Sequence, residues 1–274
     1  MNADSRLIYR GMDIGTGKPT PAERAQVPNH LIDVLEPDDD FNVSLYLRAA
    51  TEAIEGIRGR GHVPFLVGGS GQYVRALLRG HTIPPVPPDP ALRRSLEELA
   101  GGEDGRQELV DILARLDPIT AARIDTHNLR RVIRAIEVSQ ATGRPFSQVA
   151  TLAPPNYHTL VLGLTAPRAS LYQRIDDRVD TMVAKGWLAE VQGLLARSYV
   201  PTLPSFFAIG YREMAACAVG DLALDQAAAK IKTQTHAFAR RQYAWFRLDD
   251  PEIRWVDISN NLQSAAASVI REFL

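Results

Sequence analysis

The residues best equipped to do chemistry lie in short clusters along the chain. Near the start, "NADSRLIY" sets Asp4 ahead of the apolar Leu7, Ile8 and Tyr9. A carboxylate at a strand end there could act as a base towards a bound amine or hydroxyl. An Asp-Ser pair also makes helix caps and turns, so Asp4 alone does not choose between these roles. Next, "GTGKPT" has the look of a phosphate loop, G-x-x-x-x-G-K-[ST], whose N–H groups hold phosphates and whose hydroxyl holds Mg²⁺. It departs from that pattern at both ends. The residue five before Gly17 is Met12, and Lys18 is followed by Pro19, which has no N–H to offer. The segment reads as a glycine-rich loop, with a surface turn stiffened by prolines as the plain alternative to ligand binding. "GGSG" (Gly68 to Gly71) sits where an apolar run hands over to a helix. The N–H groups of a helix start suit a phosphate or a polar base, and tight strand–helix packing explains the same glycines equally well.

Arginines cluster further on. In "NLRRVIRAIEV", Arg130, Arg131 and Arg134 stand near a helix start with no acid between them, while Ile133 and Ile136 supply an apolar stripe. Such charges form a solvated face or a phosphate-binding one. In "AIGYREM", Arg212 follows Gly210-Tyr211 between apolar segments, where a guanidinium could clamp a phosphate bidentately. "FARRQYAWFRLD" interleaves Arg240, Arg241 and Arg247 with Tyr243, Trp245 and Phe246, and the aromatics there read as core.

The elements that must position these groups follow from periodicity. "NHLIDVLEP" (29–37) suits a strand closed by a proline, and Leu45, Ala49, Ala53, Ile54 and Ile57 share a face of a helix over 44–60 capped by Ser44. Val63 to Val67 reads as a buried strand, followed by a glycine turn and a helix over 71–79. That order argues for a parallel α/β sheet. The proline-rich "IPPVPPDP" (83–90) marks a boundary. Beyond it helices are predicted over 91–100, 106–116, 118–124 and 129–142, with no strong strand between them. "HTLVLGLTA" (158–166) then restores a buried strand, helices follow over 168–185, 187–197 and 225–246, and "IRWVDI" (253–258) is a last strand. The expected layout is a discontinuous α/β core over 1–87 and 156–274 with a helical insertion over 88–155.

The chain has 274 residues, 45% of them apolar and 23% charged, with a formal net charge of -1, as befits a globular enzyme. It is no polycation, so nucleic-acid binding must rest on local basic patches. The single cysteine, Cys217, lies in an apolar run and reads as an inert thiol, which excludes a disulfide framework and a Cys-rich zinc site. No apolar run approaches membrane-spanning length and no signal-peptide core opens the chain, so a cytoplasmic location is the expectation.

Taken together, "ADSRLIYRGMDIGTGKPT", "HLIDVLEP", "PFLVGGSGQYVRALLRG", "PPDPALR", "LRRVIRAIEV", "AIGYREM" and "RRQYAWFR" resemble, in order and spacing, the bacterial tRNA dimethylallyltransferases (tRNA isopentenyltransferases) over residues 3 to 248. The resemblance implies a P-loop-NTPase-like parallel sheet core with a helical insertion. It also implies transfer of the dimethylallyl group of dimethylallyl diphosphate, with Mg²⁺, to N6 of the adenosine just 3′ of the anticodon in tRNA. The target base would be flipped out of the anticodon stem-loop to reach the protein.

By the same resemblance Asp4 is the general base on the adenine amine, and Ser70, where the family usually has threonine, keeps a catalytic hydroxyl. Arg212 is the diphosphate-binding arginine. The tRNA site draws on Asp4, Ser5, Arg6, Leu7, Ser70, Arg93, the run Arg130, Arg131, Val132, Ile133 and Arg134, and the run Phe207, Ala208, Ile209, Gly210, Tyr211 and Arg212. No protein metal ligand is assigned, and the enzyme is expected to act as a monomer away from membranes. One departure stands out. The family has a true phosphate loop of the type GPTASGKT before its Asp-Ser motif, whereas Met1 stands just before Asp4 here. The expectation is a core truncated at its N-terminus, from a shortened reading of a full enzyme or a degenerate homologue, with weak tRNA binding and little transfer. An adenylate isopentenyltransferase acting on a free nucleotide and a catalytically inactive RNA-binding homologue are the alternatives.

Overall fold

The computed structural model describes residues 1–80, 84, 86–150, 153, 157–259 and 262–274. The expected boundary at 155/156, and residues 83 and 85 of the proline-rich stretch, lie outside the described residues. The chain divides into two compact units, Met1–Arg75 with Asn156–Leu274, and Ala76–Pro155.

The first unit opens with an irregular stretch and α1 (Pro21–Gln26), then α2 (Val43–Gly59) and the start of α3 (Gly71–Leu78). The second holds α4 (Pro90–Ala100), α5 (Gly105–Leu116), α6 (Pro118–Ala121), α7 (Leu129–Thr142) and α8 (Phe146–Val149). The chain then returns to the first unit with β1 (Val161–Thr165), α9 (Arg168–Ala184), α10 (Trp187–Ala196), a 3₁₀ turn over Pro204–Phe207, α11 (Tyr211–Ala218), α12 (Leu224–Gln242), β2 (Ile253–Asp257) and α13 (Leu262–Phe273). β1 and β2 pair in parallel, Val161 opposite Ile253 through Thr165 opposite Asp257. The architecture is α/β with a small parallel sheet and many helices, as the strand–helix alternation predicts.

The strands are shorter than expected, for identifiable reasons. Residues 29–37 form no strand and contribute only an isolated parallel bridge, Tyr9 to Leu35. Leu31 and Asp33 stand at φ 63° and 56°, and left-handed residues cannot continue a ladder. The run Val63 to Val67 is likewise a single bridge, Asn2 to Val67, rather than a buried strand. Pro64 has no donor, the bonds of the run go to residues 1–3, and Val63, Phe65 and Val67 remain 50%, 51% and 68% exposed. In β1, too, the residues are half-buried and Leu164 is exposed, because two strands cannot enclose a sheet face.

The helices match more closely. In α2, Asn42 and not Ser44 is the cap, accepting the N–H groups of Ser44 and Leu45. The buried stripe is Tyr46, Ala50, Ile54 and Ile57, one residue on from the expected Leu45, Ala49 and Ala53 at its start. The core of the first unit gathers Ile8, Met12, Val179, Trp187, Val191, Leu194, Phe206, Tyr211, Met214 and Ile231. The helical unit closes on Leu96, Leu109, Leu113, Val132, Ile133 and Ile136. Burial of such side chains is worth roughly 1.5–3 kcal/mol each.

Candidate active site and arginine clusters

Asp4 and Ser70 are brought together by the pairing of the first residues with the 65–70 segment. The Ala3 N–H donates to the Val67 carbonyl (2.7 Å), the Ser70 N–H to the Ala3 carbonyl (3.2 Å), and the Ser5 N–H to Ser70 Oγ (3.0 Å). Asp4 itself closes a local turn, its Oδ1 accepting the Arg6 N–H at 2.8 Å. No hydrogen bond engages Asp4 Oδ2 among the described residues, so that oxygen is free to take a proton. Ser70 also supplies the carbonyl that starts α3, accepting the Tyr73 and Val74 N–H groups.

The glycines of "GGSG" answer the question that the sequence leaves open. A Cβ on Gly68 would fall on the Ala3 backbone, one on Gly69 on the Gln242 amide, and one on Gly71 on the Trp245 indole. These glycines let the 1–5 and 242–245 segments approach closely, which is the packing reading. One turn into α3, Tyr73 stacks on Tyr46 (4.1 Å between centroids) and meets Phe41 edge-on. Burial, with Tyr9 and Asp4 adding to it against Arg6, pushes the Tyr73 hydroxyl up to about 12, so it stays protonated beside Asp4.

Two cations are tied to one turn of chain. Arg6 donates from Nη1 to the Pro204 carbonyl (3.0 Å), and Arg212 donates from Nε to the Pro201 carbonyl (3.1 Å). The Arg212 guanidinium lies over the exposed ring of Phe207, 3.9 Å from its centroid. Its terminal amino groups carry no hydrogen bond among the described residues and form a fork matched to a phosphate. Within the run 207–212, Phe207 and Arg212 are exposed and Ile209 is partly so. Ala208, Gly210 and Tyr211 are buried. Leu7 and Ser5 are part-exposed.

"GTGKPT" proves to be scaffold. The Lys18 side chain is only 3% exposed, and its ammonium donates to the Tyr9 carbonyl (2.7 Å), Asp13 (2.6 Å) and Asp33 (2.5 Å). The loop does bind an anion, but an internal one. The N–H groups of Asp13, Ile14 and Gly15 donate to the Glu190 carboxylate at 2.8, 2.6 and 3.3 Å, and the Tyr211 hydroxyl donates to Glu190 Oε1 at 2.8 Å. Burial, then the Glu190 charge, raises the Tyr211 hydroxyl well above its ordinary range. This arrangement anchors α11, and Arg212 with it, to α10 and the loop.

In the helical unit the predicted arginines divide. Arg130 and Arg131 are exposed, and neither side chain is paired among the described residues. Arg130 lines a shallow groove of about 470 Å³ with Glu97, Asp125, His127, Asn128 and Leu129. Arg93 and Arg134 are instead held by the buried Glu137. Arg93 grips it in a fork (2.8 and 2.8 Å), Arg134 adds a bond at 2.5 Å, and the Asp89 N–H donates at 2.7 Å. Val132 and Ile133, also expected at the tRNA site, are buried in the core of this unit. Residues that the sequence reading passed over are Asn2, Glu190, Tyr73 and Glu137. None stands out within the motif strings, and each has at least one partner distant in the chain.

A family model described as IPP transferase matches residues 7–249. The chain belongs to the IPP transferase family. Its similarity to individual members extends over the whole chain. It is 49% identical over 274 residues to the tRNA dimethylallyltransferase of Roseiflexus sp. (strain RS-1), covering 100% of this chain and 90% of that protein. The tRNA dimethylallyltransferase of Thermomicrobium roseum is 47% identical over 259 residues, 94% of this chain and 78% of that one. Among solved structures, the tRNA isopentenylpyrophosphate transferase of Bacillus halodurans superposes with a TM-score of 0.69 at 36% identity, covering 99% of this chain and 87% of that one. A eukaryotic dimethylallyltransferase acting on tRNA gives a TM-score of 0.79 at 25% identity, over 99% of this chain and 71% of that one. The fold of the chain is that of the IPP transferases. Among the described residues no group of three or more His, Cys, Asp or Glu side chains could hold a metal ion, and no helix is long and apolar enough to cross a membrane.

Proposed function

We propose that this IPP transferase moves a dimethylallyl group from dimethylallyl diphosphate to N6 of the adenosine 3′ of the anticodon in tRNA. The observation that carries the reading is the corner where Ser70 Oγ fixes the Ser5 N–H beside an Asp4 carboxylate with one free oxygen. An exocyclic amine is a weak nucleophile, and a fixed carboxylate can take its proton as the bond to carbon forms. The C–O bond to the diphosphate breaks with its electron pair leaving on oxygen. Arg212, preset by Phe207 and the Pro201 carbonyl, supplies charge where that negative charge builds. Arg6 adds a second cation to the same turn of chain.

Mg²⁺ is proposed as the companion of the diphosphate. The described carboxylates offer no cage for it, so substrate oxygens and water would make up its coordination. In the helical unit, Arg130 and Arg131 are the free cations for tRNA phosphates, while Arg93 and Arg134 keep one surplus positive charge around Glu137. One copy supplies every residue named, and the cytoplasm, where tRNA resides, is the proposed location.

The test offers the purified protein labelled dimethylallyl diphosphate with tRNA and with AMP, followed by nucleoside analysis. Label on the adenosine 3′ of the anticodon supports the reading. Label on AMP alone moves the assignment to a free-nucleotide enzyme, and label on neither overturns it.

A further inference from the structure

The grip on Asp4 comes from a residue that no motif singles out. Asn2 is 5% exposed, and its side-chain amide is almost fully used. Oδ1 accepts the Asp4 N–H at 2.8 Å, while Nδ2 donates to the Asp4 carbonyl at 2.8 Å and to the Leu31 carbonyl at 2.9 Å. A turn of the Asx type needs only the first of these bonds. The second closes a clamp on both peptide groups of Asp4, and the third ties that clamp to another segment. Leu31 presents its carbonyl from φ 63°, a conformation that non-glycine residues seldom hold unless their surroundings impose it. The Asn2 backbone is itself fixed on two sides, its N–H donating to the His30 carbonyl (3.0 Å) and its residue bridging to Val67. Asp4 therefore has its N–H, its carbonyl and Oδ1 all fixed, and only Oδ2 left for a substrate proton.

We infer that Asn2 is a positioning residue for the reaction, holding the Asp4 carboxylate in the orientation from which it takes the proton of the attacking amine. The inference rests on the reading of Asp4 as the general base. Its chemistry is one of placement: a base displaced by even 1 Å loses much of its effect.

The test uses the purified protein with Asn2→Ala, Asn2→Ser and Asp4→Asn side by side. Turnover, the KM for tRNA and for dimethylallyl diphosphate, and folding by near-ultraviolet circular dichroism are measured for each. Asn2→Ala is expected to lower kcat about tenfold with both KM values within about twofold. Asn2→Ser, whose hydroxyl can still accept the Asp4 N–H, should recover at least about half of the parent kcat. The inference is overturned if Asn2→Ala keeps its kcat, if its loss merely tracks a loss of folded protein, or if a folded Asn2→Ser is as slow as Asn2→Ala. Asp4→Asn separates the two levels. Unchanged turnover there, or no transfer by the parent, removes the base reading and this inference with it. Collapse of Asp4→Asn with a normal Asn2→Ala removes the positioning role alone.

Discussion

The Arg212 guanidinium lies over the Phe207 ring, 3.9 Å from its centroid, with its Nε bonded to the Pro201 carbonyl. The cation is thus set before any ligand arrives, and its two amino groups carry no hydrogen bond among the described residues. Arg212→Lys keeps the charge but loses both the stack and the fork. It is expected to cut kcat/KM for dimethylallyl diphosphate about tenfold or more, the effect of losing about 1.5–3 kcal/mol from hydrogen bonds to a charged group. Phe207→Leu should cost only about threefold, matching a cation–π contact of about 0.5–1 kcal/mol. Steady-state kinetics with the diphosphate varied check both.

Asp4→Ala removes the proton acceptor and leaves the arginines in place. Turnover should fall at least about a hundredfold, the ordinary scale of general-base catalysis. Affinity for tRNA should change by less than about twofold, since phosphate contacts dominate it. Filter binding alongside single-turnover transfer separates the two. A collapse of affinity with turnover of bound tRNA intact would show the assignment to be wrong.

Arg131 and Val132 are neighbours with opposite exposure, and they predict opposite phenotypes. Arg131→Ala should weaken tRNA binding and reduce the slope of log affinity against log salt by about one. Val132→Ala should leave that slope alone and lower the stability of the helical unit by about 1 kcal/mol or more. Salt titrations and thermal melts of the pair read this out.

Glu137 links the helical unit to pH. Burial acts to raise its carboxyl, but Arg93, the Asp89 N–H and Arg134 outweigh burial and hold it down at about 2, against an ordinary 4.5. A carboxylate with a depressed folded value contributes stability that is fully present above the ordinary value and disappears as pH falls towards the folded one. Acid unfolding of this unit should therefore steepen between about pH 4.5 and pH 2. In Glu137→Gln that segment of the curve should flatten. At neutral pH the variant should be about 3 kcal/mol or more less stable, because two arginines lose their shared partner.

How much of this was legible depended on whether the deciding partner lay nearby in the chain. Helix α7 was predicted with its observed ends because its signals are local: Asn128 caps it and Gly143 stops it at φ 64°. The pairing of Ser5 with Ser70, 65 residues apart, followed from no propensity, and only the family motifs joined them. Val63 to Val67 looked like a buried strand by composition, yet burial is decided by what covers a segment, and Pro64 limits its pairing. The arginines of "LRRVIR" were visible as charges, but Glu137, which takes Arg134 out of solution, sits on the apolar side of its own helix. In "GTGKPT", Pro19 breaks the phosphate-loop pattern within the motif itself. That the N–H groups of Asp13, Ile14 and Gly15, at its start, serve Glu190 could not be read from either segment alone.

The sequestration of Lys18 makes its amine a timer for the opening of the loop around it. Enclosed by Tyr9, Asp13 and Asp33, the nitrogen can meet an acylating reagent only when those contacts part. Its labelling rate would then follow the free energy of local opening, and not the reagent's access to a surface. Lysines on the exterior would be consumed long before. A mass spectrum of the tryptic peptides over time would resolve this one residue as a slow phase, lengthening or shortening with any change that tightens or loosens the junction of residues 9–33.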